Sequence, residues 1–319
     1  MKYTDAELRV WDDRRLRVGR DKRNELMGQA SGLIDKLEKE IPESTSFKVK
    51  RFRRAGSLMK ATALYPRADI GIDADIAVFL DDSEASDWDL STLHATLREI
   101  AIKVYPSKSA EDFWVQPHTL GMEFRASGLK VDLVPLLAIE GDTERGWMVD
   151  SSGQRSHIAD VPAHIKFVRD LANEDGRYRP LVRMAKRWRS EADLKDELGS
   201  FPIELILAQL NSDLGPPATL EEGLHRLFLY IAQTELRKEV LSGHASAPSS
   251  QNPVVILDPA DRDNNVAALI TDTERAEIVS ATTSAWETLV TASQLGGKGE
   301  TEELWREVFG TNFTTEEEK

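Results

Sequence analysis

Three aspartates carry the strongest chemical signal in this chain. Asp73 and Asp75 alternate at the start of the apolar run IDADIAVFL, and Asp132 interrupts LKVDLVPLL. Side chains alternate across a β-strand, so Asp73 and Asp75 share one face, and Asp132 lies opposite Leu129, Val131 and Leu133. Carboxylates crowded in this way ionise together only if a cation neutralises them. Hard oxygen donors with no nearby His or Cys suit Mg²⁺, and phosphoryl chemistry follows from that choice. Standing alone, Asp73 and Asp75 would read equally well as water-exposed acids of a turn or sheet edge.

They have company upstream. Ala55-Gly56-Ser57-Leu58 is a small-residue turn directly after a strand-like segment. There a glycine lets the backbone approach a phosphate and the serine hydroxyl can donate to it. Lys60 and Thr62 follow; Lys60 reads equally as a phosphate contact or a loop lysine. Asp69 is set aside because the apolar run follows Asp73 and Asp75 immediately. In the second half, Leu181, Val182, Ala185 and Trp188 form an apolar stripe with Lys186 on its flank, while Arg183 and Arg187 read as a solvated basic face. Ser200, just before Pro202, marks a helix start, which serves either an anion or ordinary capping. No HExxH, GxSxG or complete P-loop occurs.

The elements that must position these groups change in texture along the chain. Polar, sparsely apolar sequence from Asp5 to Ile41 predicts one or two helices closed by Pro42. Strands are predicted at 46–54, 72–80, 122–126 and 129–137, the last two joined as a hairpin through Ser127-Gly128, with a helix over 89–104. Beyond about Val161 the pattern is helical. The loop 242–253 is expected to be exposed and the tail from Thr311 frayed. The expected division is an N-terminal helix plus mixed α/β core over 1–160 and a helical domain over 161–319.

Composition narrows the function classes. With 41 basic and 55 acidic residues the net charge is −14, which disfavours a long nucleic acid as obligatory partner while leaving one possible. The absence of cysteine removes disulfides, thiolate zinc sites and cysteine nucleophiles. A charged start without a signal-peptide core, and no apolar run of about 18 residues, predict a cytoplasmic protein without a membrane span.

GSLMKATAL, DADIAVFL and VDLVP, in that order, resemble the polymerase-β-type nucleotidyltransferases. LVRMAKRWRSEADL, GSFPIELILAQL and VVILDPADRDNNVA resemble the helical domain of oligoadenylate-synthetase and cGAS-like enzymes, specifically bacterial CD-NTases of the branch found beside HORMA-domain regulators. The likeness spans about Arg54 to Ala267. It implies an α/β, polymerase-β-like mixed sheet with a C-terminal helical domain, bilobed with the active site in the cleft. It also implies that Asp73, Asp75 and Asp132 hold two Mg²⁺ ions, with Mn²⁺ as a substitute. Gly56 and Ser57 would hold the donor triphosphate, Lys186 and Ser200 its outer phosphates, and Phe201 would stack on the base, although Phe201 lacks the hydroxyl that relatives often carry. The implied activity is synthesis of a cyclic oligonucleotide, cyclic tri-AMP from ATP, in anti-phage defence, with a HORMA-domain partner. The alternatives are a linear nucleotidyltransferase acting on RNA, a small molecule or a protein, and a catalytically silent nucleotide-binding protein.

Overall fold

The computed structural model describes residues 2–66, 71–81, 89–241 and 251–315. Asp69 and most of the loop 242–253 lie outside them. The chain packs into two units, Val18–Lys166 and a second made of Met1–Arg17 with Phe167–Lys319.

The first unit is built on a seven-stranded mixed sheet: β1 (Val49–Ala55), β2 (Ile72–Asp81), β3 (Phe113–Val115), β4 (Leu120–Phe124), β5 (Leu129–Ala138), β6 (Arg145–Val149) and β7 (Arg155–Asp160). β5 runs parallel to β2 along its whole length. Its other edge is shared, with β4 antiparallel to Leu129–Leu133 and β6 to Leu136–Ala138. Pro135, which has no N–H to donate, falls at that handover. The expected hairpin is present, with Phe124 facing Leu129 across a turn in which Gly128 adopts a φ of 71°. β3, β6 and β7 had no legible sequence signal.

Alternation assigns the two faces of β2 and β5 different jobs. Ile72, Ala74, Ile76 and Val78, with Leu129, Val131 and Leu133, join the main core with Leu26, Leu33 and Leu37 of helix α2 (Arg20–Ser44) and Leu93 and Leu97 of α4 (Leu93–Val104). On the opposite face Ala77, Phe79, Leu136 and Ala138 form a small second cluster at one end. The charged residues occupy the other end of that face. Pro42 does not close α2; the helix continues to Ser44 and ends where Thr45 bonds back to the Ile41 carbonyl through both N–H (3.0 Å) and Oγ1 (2.8 Å).

The second unit contains α1 (Asp5–Trp11), a π-turn (Asp12–Leu16), α6 (Tyr178–Glu191), α7 (Ser200–Leu214), α8 (Leu220–Thr234), α9 (Asp272–Gln294) and α10 (Lys298–Phe309); α5 (Val161–Glu174) leads into it from β7. Capping boxes, Thr4 with Glu7 and Thr271 with Glu274, start α1 and α9. The sequence reading put residues 1–17 with the sheet, whereas their contacts lie in the helical unit. Buried Glu221 accepts the backbone N–H of Lys2 (2.7 Å) and Tyr3 (2.9 Å), and Trp11 packs edge-on to Phe309 and Phe313. Phe313 is fully buried in that aromatic cluster, so the tail expected to fray is anchored at least this far.

α6 departs most from expectation. Every residue from Pro180 to Trp188 is buried, because α7, α8, α10 and the π-turn surround the helix. Arg183 and Arg187 therefore do not form a solvated basic face. Arg183 makes a two-pronged bond to buried Asp12 (Nε to Oδ1 2.7 Å, Nη2 to Oδ2 2.5 Å), and Arg187 reaches Glu191 at 3.5 Å. Charges enclosed in this way must be partnered.

Candidate active site

In the sheet unit, one row of directly opposed residues runs from Ala55 to Asp75, Asp132, Gly121 and Trp114. Residues paired across strands project to the same face, so Asp75 and Asp132 stand side by side on the face opposite the main core. Asp73, two residues earlier and opposite Lys130, lies on the same face and is more exposed. Asp132 is half-buried at the middle of this group. Burial first, then the charges of Asp75 and Asp73, push its carboxyl up to about 7, opposed by a 3.5 Å hydrogen bond from Thr119 Oγ1 and by Lys130.

Gly56 begins the short helix α3 (Gly56–Lys60) at the end of β1, with a φ of 70° that favours glycine. Its Cα lies against Asp75: a Cβ built there would come 1.6 Å from Asp75 Oδ2. No residue but glycine fits. The Ser57 carbonyl accepts the N–H groups of Thr62 (2.9 Å) and Ala63 (3.2 Å), which closes the turn, and Ala61 ends it with a left-handed φ of 59°. Lys60 is buried at the end of α3. The sheet unit thus gathers Asp73, Asp75, Asp132, Gly56, Ser57 and Lys60 around the ends of β1, β2 and β5.

The helical unit gathers the remaining candidates. Lys186 is 4% exposed and pairs at 3.3 Å with Glu204, itself 2% exposed. Glu204 sits one turn along α7 from Ser200, and its backbone carbonyl accepts the Tyr178 hydroxyl at 2.8 Å. Lys186 is thereby tied to the helix that begins with Ser200. Gly199 is the N-cap residue, which makes Ser200 the first residue of the helix; Ser200 and Phe201 are half-buried. Sequence reading placed Lys186 on a flank and overlooked Glu204, whose signal was a lone acid inside the apolar run PIELILA.

The Asp-Pro segment is self-supporting. Buried Asp258 accepts from Ala260 N at 2.8 Å and Asn264 Nδ2 at 3.3 Å, while Asn265 bonds the backbone of Val254, Ile256 and Ala267. These side chains shape a loop.

The carboxylate group fits a divalent cation. Its donors are hard oxygens only, and the raised pKa of Asp132 reflects burial first and then the nearby charges of Asp75 and Asp73, which a cation would offset. Among the described residues, no three His, Asp or Glu side chains yet converge closely enough to enclose an ion. Thr119, Gly121 and Trp114 were missed in the sequence; a glycine inside the strand LGMEF was the available sign of a close approach.

No protein-family model matches the chain. A CBASS oligonucleotide cyclase CdnC from Escherichia coli strain KTE188 is 34% identical over 319 residues, 99% of either chain. A cyclic AMP-AMP-AMP synthase from Escherichia coli strain MS 115-1 is 31% identical over 303 residues, 92% of either chain. Among solved structures, E. coli MS115-1 CdnC in complex with HORMA-deltaN superposes with a TM-score of 0.80 at 29% identity, covering 98% of both chains. The Vibrio cholerae cyclic AMP-GMP synthase DncV shares the fold, with a TM-score of 0.71 at 14% identity over 97% of both chains.

Proposed function

Because the chain belongs to the CD-NTase family of CBASS oligonucleotide cyclases, we propose that it joins ATP molecules into a cyclic oligoadenylate, the trimer, as a signal in anti-phage defence. The observation that carries the reading is the row in which Asp75 and Asp132 stand side by side with Gly56 pressed against Asp75. A nucleotidyltransferase needs that arrangement: a carboxylate group where charge develops, and beside it a backbone close enough for phosphates.

The chain's residues divide the work. Gly56 and Ser57 receive the donor triphosphate, and Lys186, held by Glu204, meets its outer phosphates with Ser200 at the start of α7. Phe201 offers a ring for the donor base. When bound, two Mg²⁺ ions, or Mn²⁺ in their place, would neutralise charge at the attacking oxygen and at the leaving phosphates, held by Asp73, Asp75 and Asp132. Asp132, beside Thr119, orients the attacking ribose hydroxyl and is the base nearest to its proton. The hydroxyl oxygen bonds to the α-phosphorus, the bond from that phosphorus to the bridging oxygen breaks, and pyrophosphate leaves with the electron pair. Repetition, followed by attack of the chain's own terminal hydroxyl, closes the ring.

The similarity to a cyclase solved with HORMA-deltaN supports a HORMA-domain partner for this chain as well. No described helix is long and apolar enough to cross a membrane; we place the reaction in the cytoplasm. The test is incubation with ATP, Mg²⁺ and the cognate HORMA protein, then mass spectrometry after phosphatase treatment. A phosphatase-resistant cyclic tri-adenylate is expected. Linear products only, or preference for another base, would overturn the assignment.

A further inference from the structure

The row of opposed residues does not stop at the carboxylates. Beyond Asp132 come Gly121 on β4 and Trp114 on β3, and both share the carboxylate face. Gly121 has no side chain to fill its place, and the Trp114 indole fills it: a Cβ on Gly121 would lie 2.2 Å from Trp114 Cε2, 2.3 Å from Nε1 and 2.5 Å from Cζ2. The indole therefore lies across β4, about one strand spacing (~4.8 Å) from the strand that bears Asp132. Trp114 is half-buried, whereas its strand neighbour Phe113 turns into the main core.

The order of the row gives this ring a role. Gly56 and Ser57 follow Ala55 at one end of the row, on the β1 side of Asp75, while Trp114 is at the other end, beyond Asp132. Phosphoryl transfer is in line, so the attacking oxygen must approach the phosphorus from the side opposite the leaving pyrophosphate. If the donor phosphates lie at Gly56 and Ser57, as the proposed function holds, the attacking hydroxyl comes from the β5–β4 side. We propose that Trp114, packed over Gly121, is the platform on which the base of the acceptor nucleotide stacks while its ribose hydroxyl is presented at Asp132. A π-face accepts any base with little sequence preference, and stacking on aromatic side chains contributes substantially to binding of single-stranded nucleotides. Such a platform holds the growing linear intermediate between successive additions without an extended basic groove. Thr119 Oγ1, 3.5 Å from Asp132 Oδ1 on the segment between β3 and β4, flanks the same approach.

The probe is the dinucleotide ApA, which has no triphosphate and so can act only as acceptor. Its affinity is measured by equilibrium dialysis on the full chain, beside that of a non-hydrolysable ATP analogue, for wild type, Trp114→Ala, Trp114→Phe and Gly121→Ala. The expected result is a roughly tenfold weaker ApA affinity in Trp114→Ala, equivalent to ~1.4 kcal/mol. Trp114→Phe should lose less than threefold, Gly121→Ala should weaken ApA by displacing the indole, and one equivalent of the ATP analogue, at the donor site, should bind within twofold of its wild-type affinity throughout. Tryptophan emission gives a second readout that needs only the conservative variant. The chain has seven tryptophans, and ApA should quench a component present in wild type and missing in Trp114→Phe. Unchanged ApA affinity in the variants, equal loss of both ligands, or no ApA binding by the wild type overturns the platform. Failure of the wild type with its HORMA partner to consume ATP, with Trp114-dependent ApA binding intact, overturns the proposed cyclase reading and leaves the platform standing.

Discussion

Replacing Lys186 by alanine should cost this protein stability before it costs activity. The ammonium faces Glu204 at 3.3 Å with both groups almost fully enclosed. At an effective dielectric constant near 20, a pair at that separation interacts by ~5 kcal/mol. Removing one partner of a buried pair costs ~3–5 kcal/mol, because the other keeps its desolvation penalty and loses the charge that offset it. In a unit the size of the helical one, Met1–Arg17 with Phe167–Lys319, each kcal/mol moves the melting temperature by ~2–4 °C, so Lys186→Ala should lower that unit's melting by ~6–20 °C at pH 7.5. Lys186→Met combined with Glu204→Gln removes both charges at similar volume and should recover most of the lost stability while leaving ATP binding weak. Thermal denaturation followed by circular dichroism, arranged as a double-mutant cycle, reads both effects. A single Lys186→Ala variant that melts like wild type, or a double variant no more stable than the single one, would refute the argument that this lysine is held by Glu204.

Other expectations concern the sheet unit. Asp73→Asn with Asp75→Asn should abolish nucleotide transfer while leaving the circular dichroism spectrum unchanged; normal product yield would remove these acids from the chemistry. Asp132→Asn should raise the melting temperature of the metal-free protein at pH 8. The folded-state pKa of about 7 exceeds the ordinary 3.8, so the native state binds a proton more readily than the unfolded chain, and this carboxyl's stabilising effect is lost as pH rises from about 4 through 7. The gain, ~2–4 kcal/mol at pH 8, should fall below half at pH 5; a gain that grew on acidification would contradict the sign. Gly56→Ala should eliminate activity and lower stability by ~1–3 kcal/mol, since it combines a left-handed backbone with a collision against Asp75. Retention of wild-type turnover by that variant would show that the turn has room to spare.

Local periodicity made part of this protein legible without a structure. Alternation in IDADIAVFL and LKVDLVPLL placed Asp73 and Asp75 on one face and Asp132 opposite its apolar neighbours. The glycine at 128 marked the hairpin. These signals are short-range: they state which way a side chain points relative to its neighbours in the chain. Tertiary structure decided what covers each side. Only the parallel register of β2 with β5 brings Asp75 opposite Asp132, and only the pairing of β3 with β4 lays Trp114 over Gly121 at the end of the same row. On α6 the polar spacing of Arg183 and Arg187 suggested a face toward water, yet neighbouring elements enclose the helix: the π-turn supplies Asp12 to Arg183, α7 supplies Glu204 to Lys186, and Arg187 pairs within α6 with Glu191. A helical pattern records amphipathicity, and a buried ion pair made with residues far along the chain has the same pattern as an exposed one, because the compensating charge lies outside any local window.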